Sequence, residues 1–175
     1  HAKSGNGYFL LINRASVDPP SETEGEIATP SLKSDSSSLR ALARVGVVVK
    51  LLRMFQLPDQ RASALVQMLR RVQPMELLRG EPFPVVRVAY PEELFIESDV
   101  TSATVRQLRM NLQAFFEVHP HVAEELKLAT TLIEAPGALA DFVAQHLTRD
   151  YGERLEFLAE LDISKRVRRA LEVTV

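Results

Sequence analysis

The fold of this chain is decided by residues 45–72, which read V-G-V-V-V-K-L-L-R-M-F-Q-L-P-D-Q-R-A-S-A-L-V-Q-M-L-R-R-V. Two aliphatic, β-branched runs flank the turn signal Leu57-Pro58-Asp59-Gln60, in which Pro presets a backbone angle and Asp bonds its own backbone. Before this turn, apolar residues occupy alternate positions, which is the period of a strand with one buried face. The segment therefore predicts a long β-hairpin that is buried on one face and partly covered on the other.

Further strand-like segments surround this hairpin. Residues 8–14 (Y-F-L-L-I-N-R) read as a buried strand, and residues 83–90 (F-P-V-V-R-V-A-Y) read as another. Residues 15–38 are rich in Ser, Pro, Glu and Thr, so they cannot bury enough surface to offset their ordering entropy, and we expect a mobile loop. Because Pro74 cannot donate to a strand ladder, we expect the chain to turn toward a sheet edge there. Residues 1–97 are thus predicted to form a β-rich domain.

From Ser98 onward, the apolar period changes from two to about 3.6 residues, which predicts helices. The start signals of five helices are Ser98 or Asp99, Pro120, Pro136, the region of Tyr151, and Asp162. The fourth helix is expected to bury Leu155, Leu158 and Leu161, and the last to carry Ile163, Val167, Ala170 and Leu171 on one face. Because the connections are short, residues 98–175 are predicted to form a helical bundle. The predicted fold class is therefore α+β.

The composition excludes several classes of function. The 175 residues carry a formal net charge of -2, which gives no overall attraction to nucleic acid or to an anionic membrane. There is no Cys, so disulfides and thiolate zinc sites are excluded, and we expect a reducing compartment such as the cytoplasm. The longest apolar runs are too short to span a bilayer. We therefore expect no membrane and no nucleic acid among the partners.

No catalytic, cofactor or metal site is visible in the sequence. The phosphate-binding motifs G-x-x-x-x-G-K-[ST] and G-x-G-x-x-G and the nucleophile motif G-x-S-x-G are missing. His119 and His121 lie near Glu124 and Glu125, but this spacing matches no zinc pattern and reads as a helix junction. The basic residues of 165–169 lack interleaved aromatics and read as a solvated face. These observations favour a binding or assembly module without cofactors.

Two segments resemble the N-terminal domain of Lon proteases. Residues 45–72 are similar to that family's central hairpin, which typically reads V-G-x-V-A-x-I and then L-P-D-G. Residues 133–144, I-E-A-P-G-A-L-A-D-F-V-A, are similar to the family's I-x-D-P-x-x-L-A-D-x-I-A. Gln60 replaces the usual turn Gly, and Ala135 replaces the Asp that would cap the helix at Pro136. The family's usual first strand, loop and helix are missing before Tyr8.

The resemblance implies a PUA-like β pseudo-barrel followed by a helical bundle. It also implies a domain that selects and holds unfolded or damaged proteins for an ATP-dependent protease of protein quality control. The ATPase module and the Ser-Lys proteolytic module of such an enzyme would lie beyond Val175, in a hexameric parent. Two alternatives remain open: a stand-alone Lon-domain adaptor without a protease, and an RNA-binding protein of the PUA-like kind.

Three side chains at the hairpin tip are the candidate contacts for a polypeptide. Met54, Phe55 and Leu57 come just before the turn, where a strand projects past the core. Met adapts to varied partners, and Phe supplies apolar area with few rotamers to freeze. The alternative is that all three are ordinary core residues, because apolar side chains are usually inside. The alternatives differ in the stability of Phe55→Ala, which should fall by about 3–5 kcal/mol if Phe55 is core.

Overall fold

The computed structural model describes residues 7–12, 44–57, 62–80, 83–119 and 121–174. The chain divides into two compact units, His1–Pro91 and Glu92–Val175. The predicted loop at residues 15–38, most of the predicted turn at 57–60, and Pro120 lie outside the described residues. We call the two units the β unit and the helical unit and treat each by itself.

Within its described residues, the β unit contains one antiparallel sheet of four strands. The strands are β1 (Tyr8–Leu11), β2 (Gly46–Gln56), β3 (Ala62–Arg79) and β4 (Val85–Ala89), and they neighbour one another in chain order. The predicted hairpin is confirmed as the β2–β3 pair, in which Gln56 faces Ala62 and Gly46 faces Val72. Val45, Val49 and Val72 are almost fully buried, so the alternating pattern marks a genuine inner face at this end of the hairpin.

Gly46 allows β1 to lie directly against β2. A Cβ atom at this position would lie 2.7 Å from the carbonyl oxygen of Leu11 and 2.9 Å from a side-chain methyl of Leu10. Separations below about 3.0 Å do not occur for real Cβ atoms, and a backbone oxygen cannot swing aside as the end of a side chain can. The Gly in the opening V-G-V of the hairpin is therefore required by the close approach of a neighbouring strand.

The chain does not turn away at Pro74 as predicted, but β3 does have an open edge there, because among the described residues β2 pairs with β3 only as far as Val72. β3 continues to Arg79, and its later part, from Gln73, pairs with β4. The register shifts between Pro74 and Glu76, which leaves Met75 as an extra, exposed residue of a bulge. A bulge already interrupts the ladder of hydrogen bonds, so a residue without an N–H is tolerated inside the strand.

The helical unit contains five helices among the described residues, which together with the sheet confirms the predicted α+β class. They are α1 (Asp99–Val118), α2 (Glu124–Leu132), α3 (Pro136–His146), α4 (Tyr151–Ala159) and α5 (Ile163–Val173). Ser98 caps α1 by accepting the N–H of Thr101 at 3.1 Å, and Asp162 caps α5 by accepting the N–H of Ser164 at 2.9 Å. In the part of the chain that is described, no helix is both long and apolar enough to cross a membrane.

The start predicted for the second helix is wrong by several residues. α2 begins at Glu124, not at Pro120, and Ala123 at its N-cap offers no side-chain hydrogen bond. The chain first closes a turn, in which the N–H of Val122 donates to the carbonyl of His119 at 3.1 Å. Glu124 and Glu125 then lie in the first turn of α2, where their negative charges interact favourably with the positive end of the helix dipole.

One apolar cluster holds the helices together. Leu108, Leu139, Val143 and Val167 are completely buried in it, and Ile163 and Leu171 pack against it as expected. In α4, however, the buried side chain is Phe157, at 1% exposure, while the predicted Leu155, Leu158 and Leu161 remain partly exposed. A helix of nine residues has too few turns for its apolar spacing to define a single stripe. The largest apolar side chain at its centre takes the buried position.

Residues 92–97 belong to the helical unit, although the sequence boundary placed them with the strands. Leu94 forms a parallel bridge beside Asp162: its N–H donates to the carbonyl of Leu161 at 2.9 Å, and its carbonyl accepts the N–H of Ile163 at 2.8 Å. The segment has neither a helical nor a strand period. Sequence patterns therefore gave no indication that it docks on the start of α5.

Candidate functional site

The outer end of the hairpin extends beyond the strands that flank it. β1 pairs with β2 only at residues 47–50, and β4 pairs with β3 only from Gln73 onward. The N–H of Leu51 still donates to the carbonyl of Gly7 at 2.7 Å, so the ribbon in which, among the described residues, β2 and β3 pair only with each other consists of residues 52–57 and 62–65. We call these two segments the distal hairpin.

The three predicted contact residues lie in the distal hairpin and are solvent-exposed. The exposed fractions are 44% for Met54, 45% for Phe55 and 43% for Leu57. The alternative that they are ordinary core residues is therefore wrong. Whether they contact a polypeptide remains a prediction, and exposed apolar surface of this kind is what such a contact requires.

The strand register places Met54 and Phe55 on opposite faces of the ribbon. Side chains alternate along a strand, and cross-strand partners share a face. Phe55 shares its face with Arg53, whose guanidinium lies 5.9 Å from the centre of the Phe55 ring, and with Leu65, the partner of Arg53. Met54 shares the other face with its partner Ala64. The three predicted residues thus offer apolar surface on both faces, not one continuous patch.

Sequence reasoning missed two exposed leucines in the same ribbon. Leu52 and Leu65 are each 52% exposed. Leu52 is the extra residue where the register shifts between Leu51 and Arg53, so it leaves the regular alternation. The sequence shows only that both strands are apolar. Apolar character does not tell whether another part of the protein covers the ribbon or leaves it exposed to solvent.

Two of the residues near the first helix junction, His119 and Glu124, already have partners within the fold. The ring of His119 stacks on Phe115, with centroids 4.2 Å apart, and its Nδ1 lies 2.9 Å from the Phe115 carbonyl oxygen. Glu124 forms a salt bridge with Lys127 at 2.6 Å. Within the described ranges, no group of three or more His, Cys, Asp or Glu side chains converges as metal ligands would.

A buried cation lies behind the P-G-A-L-A-D segment of α3. Arg166 is 1% exposed, and its guanidinium pairs with Glu93 at 2.7 Å and with Asp141 at 3.2 Å. A Cβ at Gly137 would lie 2.9 Å from the Nη2 atom of Arg166, so this Gly leaves room for the guanidinium. The interpretation of residues 165–169 as one solvated basic face is therefore wrong for Arg166. The motif serves the packing of α3 against α5.

A cavity of about 770 Å³ lies between α1, α2 and α3. Its lining includes the apolar Leu112, Phe116 and Leu139 and the charged Arg109 and Lys127. Arg109 donates to the carbonyls of Ile133 at 2.7 Å and of Thr130 at 3.3 Å, so it satisfies backbone groups at the end of α2. The lining thus consists mainly of groups that already serve helix packing.

Comparison with known proteins gives consistent results over nearly the whole chain. The family model of the ATP-dependent protease La (LON) substrate-binding domain matches residues 4–175. A Lon protease of Roseiflexus castenholzii is 32% identical over 131 residues, which cover 75% of this chain and 16% of that protein. A Lon protease of Syntrophus aciditrophicus is 27% identical over 171 residues, which cover 94% of this chain and 21% of that protein.

The fold also matches a solved structure. The N-terminal domain of a Mycobacterium avium complex Lon protease superposes with a TM-score of 0.66 at 16% identity, covering 95% of this chain and 89% of that one. The chain spans only about a fifth or less of the length of the two relatives described above. Because the family model covers almost every residue, the chain belongs to the ATP-dependent protease La (LON) substrate-binding domain family.

Proposed function

We propose that this chain captures unfolded or damaged polypeptides for a Lon-like ATP-dependent protease and catalyses no reaction itself. In this proposal the distal hairpin, with Met54, Phe55 and Leu57, is the contact surface. ATP hydrolysis and peptide cleavage belong to other modules of a hexameric, cytoplasmic parent enzyme. The division of the chain into a β-rich recognition domain and a helical bundle, with residues 92–97 on the helical side, is part of the same proposal.

The observation that carries this proposal is the exposure of apolar side chains at the end of a two-stranded ribbon. Unfolded proteins differ from folded ones by their accessible apolar side chains and bare backbone. A receptor for them needs apolar surface that its own fold leaves uncovered. Met54 and Phe55 supply such surface on both faces of the ribbon, and Leu52 and Leu65 extend it.

The side-chain chemistry of the distal hairpin suits partners of varied sequence. Met has three rotatable bonds and a polarisable sulfur, so it adapts to different apolar groups. The guanidinium of Arg53 lies beside the Phe55 ring, so a polar and an apolar group are available next to each other. Strand edges can also add an extended peptide through main-chain hydrogen bonds, which are independent of sequence.

The test is a triple substitution, Met54→Ser, Phe55→Ser and Leu57→Ser, with a matched control. The ligand is a reduced and carbamidomethylated globular protein, which stays unfolded, and its affinity is measured by fluorescence anisotropy. We expect affinity to fall about tenfold, because apolar anchors dominate such contacts and tenfold corresponds to about 1.4 kcal/mol. Circular dichroism should show that the variant remains folded.

The control removes three apolar side chains of the helical unit that are even more exposed than those of the hairpin: Val118→Ser, Leu128→Ser and Leu132→Ser. Their exposed fractions are 72%, 61% and 71%. We expect this control to keep its affinity within about twofold, since surface changes away from a binding site have small effects. Equal losses in both variants, or normal binding by the hairpin variant, would contradict the proposed contact.

A further inference from the structure

A second surface, on the helical unit, collects positive charge. It is a groove of about 590 Å³, and the charged side chains that line it are Arg149, Glu153, Lys165, Arg168, Arg169 and Glu172. Lys165, Arg168 and Arg169 share one face of α5, because residues three and four apart are neighbours on a helix. Arg149 reaches the groove from the connection between α3 and α4. We call this surface the α5 groove.

Most of these cations have no acidic partner. Among the described residues, the charged side chains of Arg149, Lys165 and Arg168 form no salt bridge or hydrogen bond. Arg169 pairs with Glu156, and its guanidinium lies 5.3 Å from the centre of the Phe157 ring. The groove therefore combines one cation held in place with three whose charges are free to meet a ligand.

The polar lining of the groove also includes an unused hydroxyl. Thr148 is 2% exposed, and its Oγ1 is a buried atom without a hydrogen-bond partner. A buried hydroxyl without a partner is unfavourable, whereas a bound acceptor or donor would satisfy it. This observation is independent of the cations and lies in the same groove.

We propose that the α5 groove binds an acidic segment of the polypeptide substrate. This inference rests on the proposed function, because it names a feature of the polypeptide that the distal hairpin captures. Carboxylates suit these side chains, since the guanidinium fork of Arg accepts a carboxylate with two parallel hydrogen bonds. The overall charge of -2 gives acidic segments no general attraction to the chain, so their binding depends on this local cluster.

The two acids in the groove favour a peptide over a nucleic acid. Glu153 and Glu172 repel a continuous polyanion, which carries a negative charge on every nucleotide. A peptide instead separates its carboxylates by neutral residues, and its backbone N–H groups can donate to Glu153 and Glu172. The lining also contains no aromatic side chain on which a base could stack.

The test uses the full 175-residue chain and two labelled synthetic peptides. In one peptide Glu alternates with Ser, and in the other Gln replaces every Glu. We expect the Glu peptide alone to bind, with an affinity that weakens as salt is added, because salt screens exposed charges. The variant Arg149→Gln, Lys165→Gln, Arg168→Gln should lose about tenfold in affinity, because it removes three exposed charges that each contribute a small part of the binding.

Two further variants sharpen this test. Glu153→Gln with Glu172→Gln should raise the affinity about threefold, because it removes the repulsion within the groove. The control Arg44→Gln, Lys50→Gln, Arg106→Gln removes the same number of exposed positive charges elsewhere and should change affinity less than twofold. Equal binding of the Glu and Gln peptides, or an equal loss in this control, would overturn the proposal.

Polyanions provide the remaining outcome. If an RNA oligonucleotide or inorganic polyphosphate binds more tightly than the Glu peptide and loses affinity in the groove variant, the groove is not an acidic-peptide site. Capture of an unfolded protein that lacks acidic clusters should remain unchanged in all groove variants. Capture of this protein should be lost only in the hairpin variant, and that result tests the proposed function. Binding of the Glu peptide tests the groove, so the failure of one proposal can be told from the failure of the other.

Discussion

In the helical unit, apolar side chains from four of the five described helices meet in one cluster that includes Leu108, Leu139, Phe157 and Val167. In the described part of the β unit, the fully buried apolar side chains are Val45, Val49 and Val72, while those of the distal hairpin are exposed. Burial of apolar surface is the main source of folding stability, and its exposure is the main source of non-specific affinity. Both units are rich in apolar residues. The comparison therefore teaches that apolar content alone does not tell whether a segment stabilises the fold or offers a binding surface.

The largest expected effect tests this contrast with a pair of phenylalanines. Phe157 is 1% exposed and Phe55 is 45% exposed. Phe157→Ala should lower the free energy of unfolding by about 3–5 kcal/mol, because it removes a buried ring and leaves a cavity. Phe55→Ala should cost about 1 kcal/mol, since only part of its ring leaves water on folding. Urea unfolding followed by circular dichroism measures both, and equal losses would break the comparison.

The next effect concerns the charges buried behind α3. The double variant Glu93→Gln, Asp141→Asn should lower the free energy of unfolding by about 3–5 kcal/mol, because it leaves the buried guanidinium of Arg166 uncompensated. Arg166→Met should cost less, about 1–2 kcal/mol, since the carboxylates of Glu93 and Asp141 are more than a third exposed and water can solvate them.

Both variants of this second test are compared with wild type by urea unfolding of the helical unit. A greater loss of unfolding free energy for Arg166→Met than for the double variant would contradict the reasoning. The two unpaired carboxylates would then destabilise the fold more than the unpaired buried cation does. The matched control is Arg168→Met, which removes an exposed cation two positions away and should change stability by less than about 0.5 kcal/mol.

A smaller effect is expected where two strands of the β unit meet. Gly46→Ala places a methyl group only 2.7 Å from the carbonyl oxygen of Leu11, so β1 must move away from β2. We expect a loss of about 1–3 kcal/mol, the usual range for overpacking. Faster hydrogen exchange at the amides of Leu11 and Val47, which face each other as a hydrogen-bonded pair, with no change in the helical unit, would locate the effect. Unchanged exchange at both amides would exclude the proposed close approach.

Local signals in the sequence were sufficient to predict where most helices of the helical unit begin. Ser98, Pro136 and Asp162 start helices as predicted, because a cap or a proline acts within one turn of its own position. The hairpin was also predicted correctly, since the alternation and the turn signal agree. These features depend on neighbours in sequence, so no tertiary contact is needed to infer them.

The features that sequence missed depend on distant contacts. Arg166 reads as a surface cation until Glu93 and Asp141, both far away in sequence, are brought to its guanidinium. Pro74 reads as the end of a strand until a bulge beside β4 accommodates it. At the candidate site, the position of Met54, Phe55 and Leu57 was predictable. Their exposure was not, because alternation is the same whether or not another element covers the ribbon.

The bridge between Leu94 and the start of α5 has a mechanical consequence. Two backbone hydrogen bonds, from Leu94 to Leu161 and from Ile163 to Leu94, attach the first segment of the helical unit to its last helix. Tension applied to the chain before Glu93 therefore does not unwind α1 from Ser98. It first meets this bridge and the ion pair between Glu93 and Arg166, which pass the force to α5. Force applied to the chain before Glu93 is thus borne by both the first segment and the last helix of the helical unit.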